Sequence, residues 1–272
     1  MSLDMGPALL FCPADRPERF TGALQKADAV ILDLEDAVLP AAKAQARENI
    51  AAADLDPERV IVRVNAPDTA DFAKDLDVLA RTSFRRVMVA KSEDPGMLDV
   101  FRADQQVIAL CETALGVHRA GEVAAHERTV ALMWGAEDLV ASLGGLSSRF
   151  ADGRYRDVAR QARAQVLLAA GAYGRTAIDA VHLDIDDVQG LAEEAADAVA
   201  SGFGATACIH PKQVAVIREA YRPDADTVEW ARAVLVAAEG ERGVFRFEGR
   251  MIDEPVLRHA RAVVERGMRI DG

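Results

Sequence analysis

Short apolar runs alternate with helix-length amphipathic segments along most of this chain, and that alternation restricts the fold more than any other feature. The runs are 8–13, 29–36, 60–65, 86–91, 108–112, 130–135, 177–183 and 205–211. Between them the spacing predicts helices over 16–27, 41–53, 70–81, 97–101, 114–125, 157–172 and 187–201, and a last one over 211–221. An apolar run without polar alternation suits a parallel strand buried on both faces, and each parallel strand needs a crossover to reach its neighbour. Eight such units within residues 1–222 predict an α/β fold, a closed TIM (β/α)8 barrel in preference to an open doubly wound sheet. A nucleotide-binding sheet would carry a Gly-rich turn after its first strand, and Cys12-Pro13-Ala14-Asp15 is not one. Residues 223–272 read differently, as helix 226–240, hairpin 244–253 and helix 255–266. So small an extension is expected to pack on the barrel or on a neighbouring copy.

Composition narrows the partners. A formal charge of −12 opposes nucleic-acid or anionic-membrane binding, since both depend on a basic surface. It leaves room for an anionic small molecule held by local arginines, and for a divalent cation among the acids. No apolar run approaches the roughly 20 residues of a membrane span, and the start lacks a basic segment followed by an apolar one. A soluble, unprocessed, cytoplasmic protein is expected. Cys12, Cys111 and Cys208 each lie in an apolar run without metal-ligand spacing, as small buried hydrophobes do.

Parallel barrels gather their chemistry at the carboxyl ends of the strands. Here those ends carry Asp15 and Arg16, Glu35 and Asp36, Arg63 and Asn65, Lys91, Glu112, Glu137 and Asp138, Asp179, and His210. A carboxylate-rich set of this kind suits a hard cation with oxygen ligands and retained waters, which describes Mg²⁺ (or Mn²⁺) better than Zn²⁺. Glu112 and Asp138 are assigned as its two protein ligands. Glu137 is next to Asp138, and adjacent residues at a helix start point different ways. Arg63 offers a planar fork for a substrate carboxylate. Each assignment has a plainer alternative. Glu112, Glu35 and Asp36 could cap the helices that follow them, His210 could be a hydrogen-bonded structural residue, and Lys91 could be a charged, paired lysine instead of a Schiff-base amine. The Gly/Ser-rich connection 144–153, with Arg149 and Arg154 in or beside it, is long enough to suggest a lid.

Several segments resemble the citrate lyase β-subunit-like proteins and the Mg²⁺-dependent malyl-CoA and citramalyl-CoA lyases grouped with them. They are Leu10-Phe11-Cys12-Pro13-Ala14-Asp15-Arg16-Pro17-Glu18-Arg19-Phe20, residues 27–38 with Leu32-Asp33-Leu34-Glu35-Asp36, Arg63-Val64-Asn65, Glu112-Thr113-Ala114, Gly135-Ala136-Glu137-Asp138-Leu139, Gly202-Phe203-Gly204 with Ile209-His210-Pro211, and Met251-Ile252-Asp253. The resemblance implies a TIM barrel, usually trimeric, with Mg²⁺ on Glu112 and Asp138, a substrate carboxylate on Arg63, and a tail aspartate, Asp253, that reaches a neighbour's site. The implied activity is reversible carbon–carbon cleavage of a carboxylated 3-hydroxyacyl-CoA. On that reading Asp253 moves a proton at the enolate carbon, Glu35 and Asp36 hold ion-bound waters, and Arg16, Arg19 and Lys26 of the first strand–helix unit meet the phosphates of CoA, which enters as part of the substrate. The competing readings are a free-acid 2-oxo acid aldolase, a malyl-CoA-type thioesterase, and a subunit of a citrate lyase complex.

Overall fold

The computed structural model describes residues 3–241 and 243–271, with side chains through 268. Packing divides the chain into two units, residues 1–217 and 218–272. The first holds the predicted barrel. Strands β1 (Ala8–Pro13), β2 (Ala29–Asp33), β3 (Val60–Val64), β4 (Arg86–Val89), β5 (Gln106–Cys111), β6 (Thr129–Trp134), β7 (Thr176–Asp179) and β8 (Ala205–Cys208) pair in chain order and close, β8 against β1, all parallel. Helices α1 (Phe20–Lys26), α2 (Lys43–Ala51), α3 (Ala70–Leu79), α4 (Ala114–His118), α5 (Ala120–Ala125), α6 (Ala136–Ser142), α7 (Asp157–Ala172), α8 (Val188–Ser201) and α9 (Pro211–Tyr221) supply most of the crossovers.

Several predicted elements differ: the runs 177–183 and 205–211 leave the sheet after Asp179 and Cys208, and three other differences shape the barrel. The β4–β5 connection holds only a 3₁₀ turn over Pro95–Val100. The helix predicted over 114–125 breaks at Arg119 into α4 and α5. The run 29–36 leaves the sheet at Asp33, because the Asp33 carboxylate accepts hydrogen bonds from the Glu35 and Ala37 backbone N–H groups at 2.9 and 3.1 Å and folds the chain into a turn.

The barrel interior is filled by Leu9, Ile31, Ile61, Met88, Ile108, Leu110, Met133 and Ile178 with their neighbours. Side chains alternate along a strand, so a residue two beyond an inward one also faces inward. Asp33 follows Ile31 in this way, Arg63 follows Ile61, and Glu112 follows Leu110. The layer above the apolar core is therefore ionic. All three cysteines are buried, and burial pushes the Cys12 thiol up to about 11 and that of Cys111 up to about 12, so neither is a nucleophile at neutral pH.

The second unit contains α10 (Ala225–Ala238), a hairpin of β9 (Phe245–Phe247) and β10 (Arg250–Ile252), and α11 (Glu254–Asp271). Ala231, Val234, Ile252, Ala260 and Val263 form its small core.

Because Ile108 is fully buried in the apolar barrel interior beneath the ionic layer, Ile108→Ala is expected to destabilise the protein by about 2–5 kcal/mol. Urea unfolding followed by circular dichroism measures it, and a loss below about 1 kcal/mol would contradict a close-packed interior.

Candidate active site

The register places Asp33 directly beside Arg63 on adjacent strands. Asp33 takes the guanidinium as a fork, with Arg63 Nε donating to Oδ1 at 2.7 Å and Nη2 to Oδ2 at 2.5 Å. The third nitrogen, Nη1, lies 3.1 Å from Glu35 Oε2, and the ring of Phe11 lies below, 4.9 Å from the guanidinium carbon. Burial alone would lower the Arg63 pKa, but the charges of Asp33, Glu35 and Glu112 and the Asp33 hydrogen bonds outweigh it and raise it. Arg63 is thus a fixed cation. A guanidinium has five N–H groups, so this fork can hold both acids and still present donors toward the barrel mouth.

Glu112 stands across from it, one residue past β5, with 3 % of its surface exposed. Its Oε1 accepts the Lys91 backbone N–H at 3.1 Å. Burial, followed by the charge of Asp138, pushes its carboxyl up to about 8, against the opposing pull of Arg63. Gly135 explains how the carboxylate fits: a β-carbon there would lie 2.9 Å from Glu112 Cβ and 3.0 Å from Oε2. Asp138, in the first turn of α6, is more open, and the Lys91 ammonium lies 3.5 Å from its Oδ1. That ammonium also hydrogen-bonds Glu35 and sits 3.6 Å from Asp36 Oδ2. Burial by itself would lower the Lys91 pKa, but Glu35, Glu112 and Asp138 raise it. The paired, charged lysine is the state present.

The donor set suits a hard divalent cation. Both candidate ligands offer carboxylate oxygens, Glu112 is a buried acid that a nearby cation would return to its charged form, and Gly135 keeps the space beside Oε2 clear. Among the described residues no three His, Cys, Asp or Glu side chains converge as a protein cage. An ion here would keep waters or take ligand oxygens, as Mg²⁺ does.

A buried polar network supports the turn that carries Glu35 and Asp36. Lys43 Nζ donates to the carbonyls of Leu34 and Glu35 at 3.1 and 3.3 Å and to Asn65 Oδ1. Asn65 Nδ2 bonds Asp75 Oδ2 at 2.6 Å, and Arg47 closes the network on Asp75 Oδ1 at 2.7 Å.

The remaining predicted residues are dispersed. Glu137 turns from Asp138 and accepts Ser148 Oγ at 2.5 Å. His210 accepts the Lys212 backbone N–H at 3.2 Å, a structural role at the start of α9. Arg16 and Arg19 are exposed beyond β1, near Asp15 and Glu18. Lys26 ends α1 just before β2, toward the amino ends of the strands, because helices run back from the carboxyl ends of the strands to their amino ends. Asp179 points outward beneath α7, where it binds Arg163 and Trp134 Nε1, and is not part of the rim. The connection 144–153 is pinned rather than free, since Arg149 pairs with Glu194 of α8 and stacks 3.7 Å from Tyr155. It borders a cavity of about 1250 Å³ between α7 and α8, on whose wall Arg163 pairs with Asp179 and Asp197 and which does not include Glu112 or Asp138. Asp253 lies in the second unit, where it caps α11 through the Val256 N–H at 3.3 Å.

The model of the HpcH/HpaI aldolase/citrate lyase family matches residues 8–211. The chain belongs to this family. It is 57 % identical over 261 residues to a citrate lyase subunit beta-like protein of Mycobacterium tuberculosis, covering 96 % of this chain and 95 % of that protein. It is 31 % identical to human mitochondrial citramalyl-CoA lyase, covering 87 % of this chain and 78 % of that one. The crystal structure of M. tuberculosis CitE in complex with magnesium, acetoacetate and coenzyme A superposes with a TM-score of 0.91 at 56 % identity, over 98 % of this chain and 99 % of that one. As a member of the citrate lyase family, the chain is a carbon–carbon lyase.

In this lyase two site residues escaped sequence reasoning. Asp33 was hidden at the end of an apolar run, although its spacing from Ile31 was the available signal. Lys43 carries no signal of its role, because its carbonyl partners Leu34 and Glu35 lie eight or nine residues back in its own β2–α2 connection and Asn65 comes from the connection after β3.

The raised Glu112 carboxyl makes the metal-free lyase pH-sensitive. A group whose folded pKa lies near 8 against an ordinary 4.5 contributes stability that is complete below about 4.5 and is lost as pH rises through about 8. The urea midpoint of metal-free protein should therefore fall over that window, and the wild-type-minus-Glu112→Gln difference should carry most of the fall. Parallel curves for the two proteins would refute it. Gly135→Ala is expected to displace Glu112 and weaken Mn²⁺ binding at least tenfold, about 1.4 kcal/mol, measured by electron paramagnetic resonance. Unaltered affinity would remove Gly135 from the site.

Proposed function

We propose that this lyase is Mg²⁺-dependent and cleaves, reversibly, a 3-hydroxyacyl-CoA that bears a carboxylate, releasing acetyl-CoA and a carbonyl acid. The observation that carries the reading is the pairing of a fixed cation, Arg63, with a buried acid, Glu112, held near neutrality, in one ionic layer at the barrel mouth. Magnesium, acetoacetate and coenzyme A in the CitE crystal structure, and citramalyl-CoA as the named substrate of the human relative, point to the same class.

Glu112 and Asp138 would hold the ion. When bound, it supplies Lewis acidity toward the hydroxyl or carbonyl oxygen of the substrate. Arg63 orients the substrate carboxylate and offsets negative charge as the bond breaks, and Asp33 keeps its fork from rotating. Glu35, locked between Arg63 and Lys91, and the more exposed Asp36 hold ordered water beside Asp138. Ser148 draws Glu137 aside, leaving the site side of α6 to Asp138. Arg16 and Arg19 are offered to the CoA phosphates. Asp253 is assigned proton transfer at the acetyl carbon on the resemblance alone, and a trimer is the expected assembly.

The test is a panel of malyl-, citramalyl- and 3-hydroxy-3-methylglutaryl-CoA beside the free acids. Release of acetyl-CoA from a thioester that stops in chelator is expected, with Glu112→Ala and Asp138→Ala each lowering kcat/KM at least 10³-fold, about 4 kcal/mol. Turnover of free acids alone would replace the reading with an aldolase, and near-normal turnover in either variant would sink the ion assignment.

A further inference from the structure

Lys91 follows β4 with φ of 48°, a left-handed backbone that a β-carbon disfavours and that glycine takes without cost. The bend aims two groups at once. Its backbone N–H meets Glu112 Oε1, and its side chain returns over the barrel mouth to Glu35, Asp36 and Asp138. The ammonium therefore rests near an oxygen of one proposed ion ligand while the same residue's backbone orients the other. An ammonium has three donors and no lone pair, so it cannot itself bind an ion. A divalent cation on Asp138 would repel it. Two cations thus contend for one carboxylate.

We propose that Lys91 is a built-in counter-cation of the ion site, a positioning residue that holds Asp138 and the Glu35–Asp36 turn in the ligand-free enzyme and withdraws from Asp138 when the divalent ion binds. Its partners for withdrawal are at hand, since Glu35 and Asp36 already face the ammonium. Its backbone stays on Glu112 throughout. This gives the strained turn a purpose: one ligand is held while the other is released to the incoming ion. The inference rests on the reading that Glu112 and Asp138 are the protein ligands.

The experiment measures Mn²⁺ binding to the metal-free full chain, without substrate, by electron paramagnetic resonance. The proteins are wild type, Lys91→Gly, Lys91→Arg, Glu112→Gln and Asp138→Asn. Glycine suits the φ of Lys91 and keeps the N–H to Glu112, so Lys91→Gly removes the ammonium alone, and a thermal melt checks its folding. Lys91→Gly should bind Mn²⁺ several-fold tighter than wild type, Lys91→Arg should not, and the two acid variants should lose binding. Peptide-resolved amine labelling of wild type should modify Lys91 faster with saturating Mg²⁺ than without, and this decides the matter if Lys91→Gly does not fold. If the acid variants bind Mn²⁺ as wild type does, the ligand assignment fails and takes this proposal with it. If they lose binding while Lys91→Gly binds equally or more weakly, or if Mg²⁺ leaves Lys91 labelling unchanged or slower, the ligand assignment stands and displacement is wrong.

Discussion

The site depends on the ion pair between the fully buried Asp33 and Arg63, whose side chain is 11 % exposed. Both residues face the barrel interior above the apolar layer, where an unpaired charge would be costly, and removal of one partner of such a pair typically costs about 3–5 kcal/mol. The fork they share fixes the guanidinium plane. The same Asp33 carboxylate ends β2 by accepting the Glu35 and Ala37 N–H groups, so one side chain aims Arg63 and also turns Glu35 toward it. Lys43, Asn65, Asp75 and Arg47 then brace that turn from behind.

Across the mouth the electrostatics are deliberately incomplete. Arg63 is matched by two acids, whereas Glu112 receives a backbone N–H and faces Asp138, a second negative group. Desolvation and like charge both disfavour its ionised form, and the nearby cations compensate only in part. Such an acid is a poor structural element and a good receptor for a cation. A family whose solved members include a complex with magnesium, acetoacetate and coenzyme A gives that receptor its chemical setting.

Legibility followed distance along the chain. The strand–helix alternation, the closed barrel, the buried cysteines and the crowd of acids at the strand ends were all readable, because periodicity and composition are local. Asp33 was partly readable, through its spacing from Ile31. Asp179 misled, since the last residue of β7 faces the helix layer and not the interior. The long Gly/Ser connection suggested a lid, yet Arg149 reaches across to α8 and pins it.

What the sequence determined by itself is therefore the barrel and the inventory of groups at its mouth: hydrophobic period sets strands and helices, and strand ends set which face carries polar residues. Only the tertiary structure decided how those groups pair. Strand register put Asp33 on Arg63, the missing β-carbon of Gly135 admitted Glu112, and a left-handed turn brought Lys91 between Glu35 and Asp138. Charges separated by tens of residues interact through space, with a strength set by burial and ångström-scale distance, and neither quantity is written in local sequence.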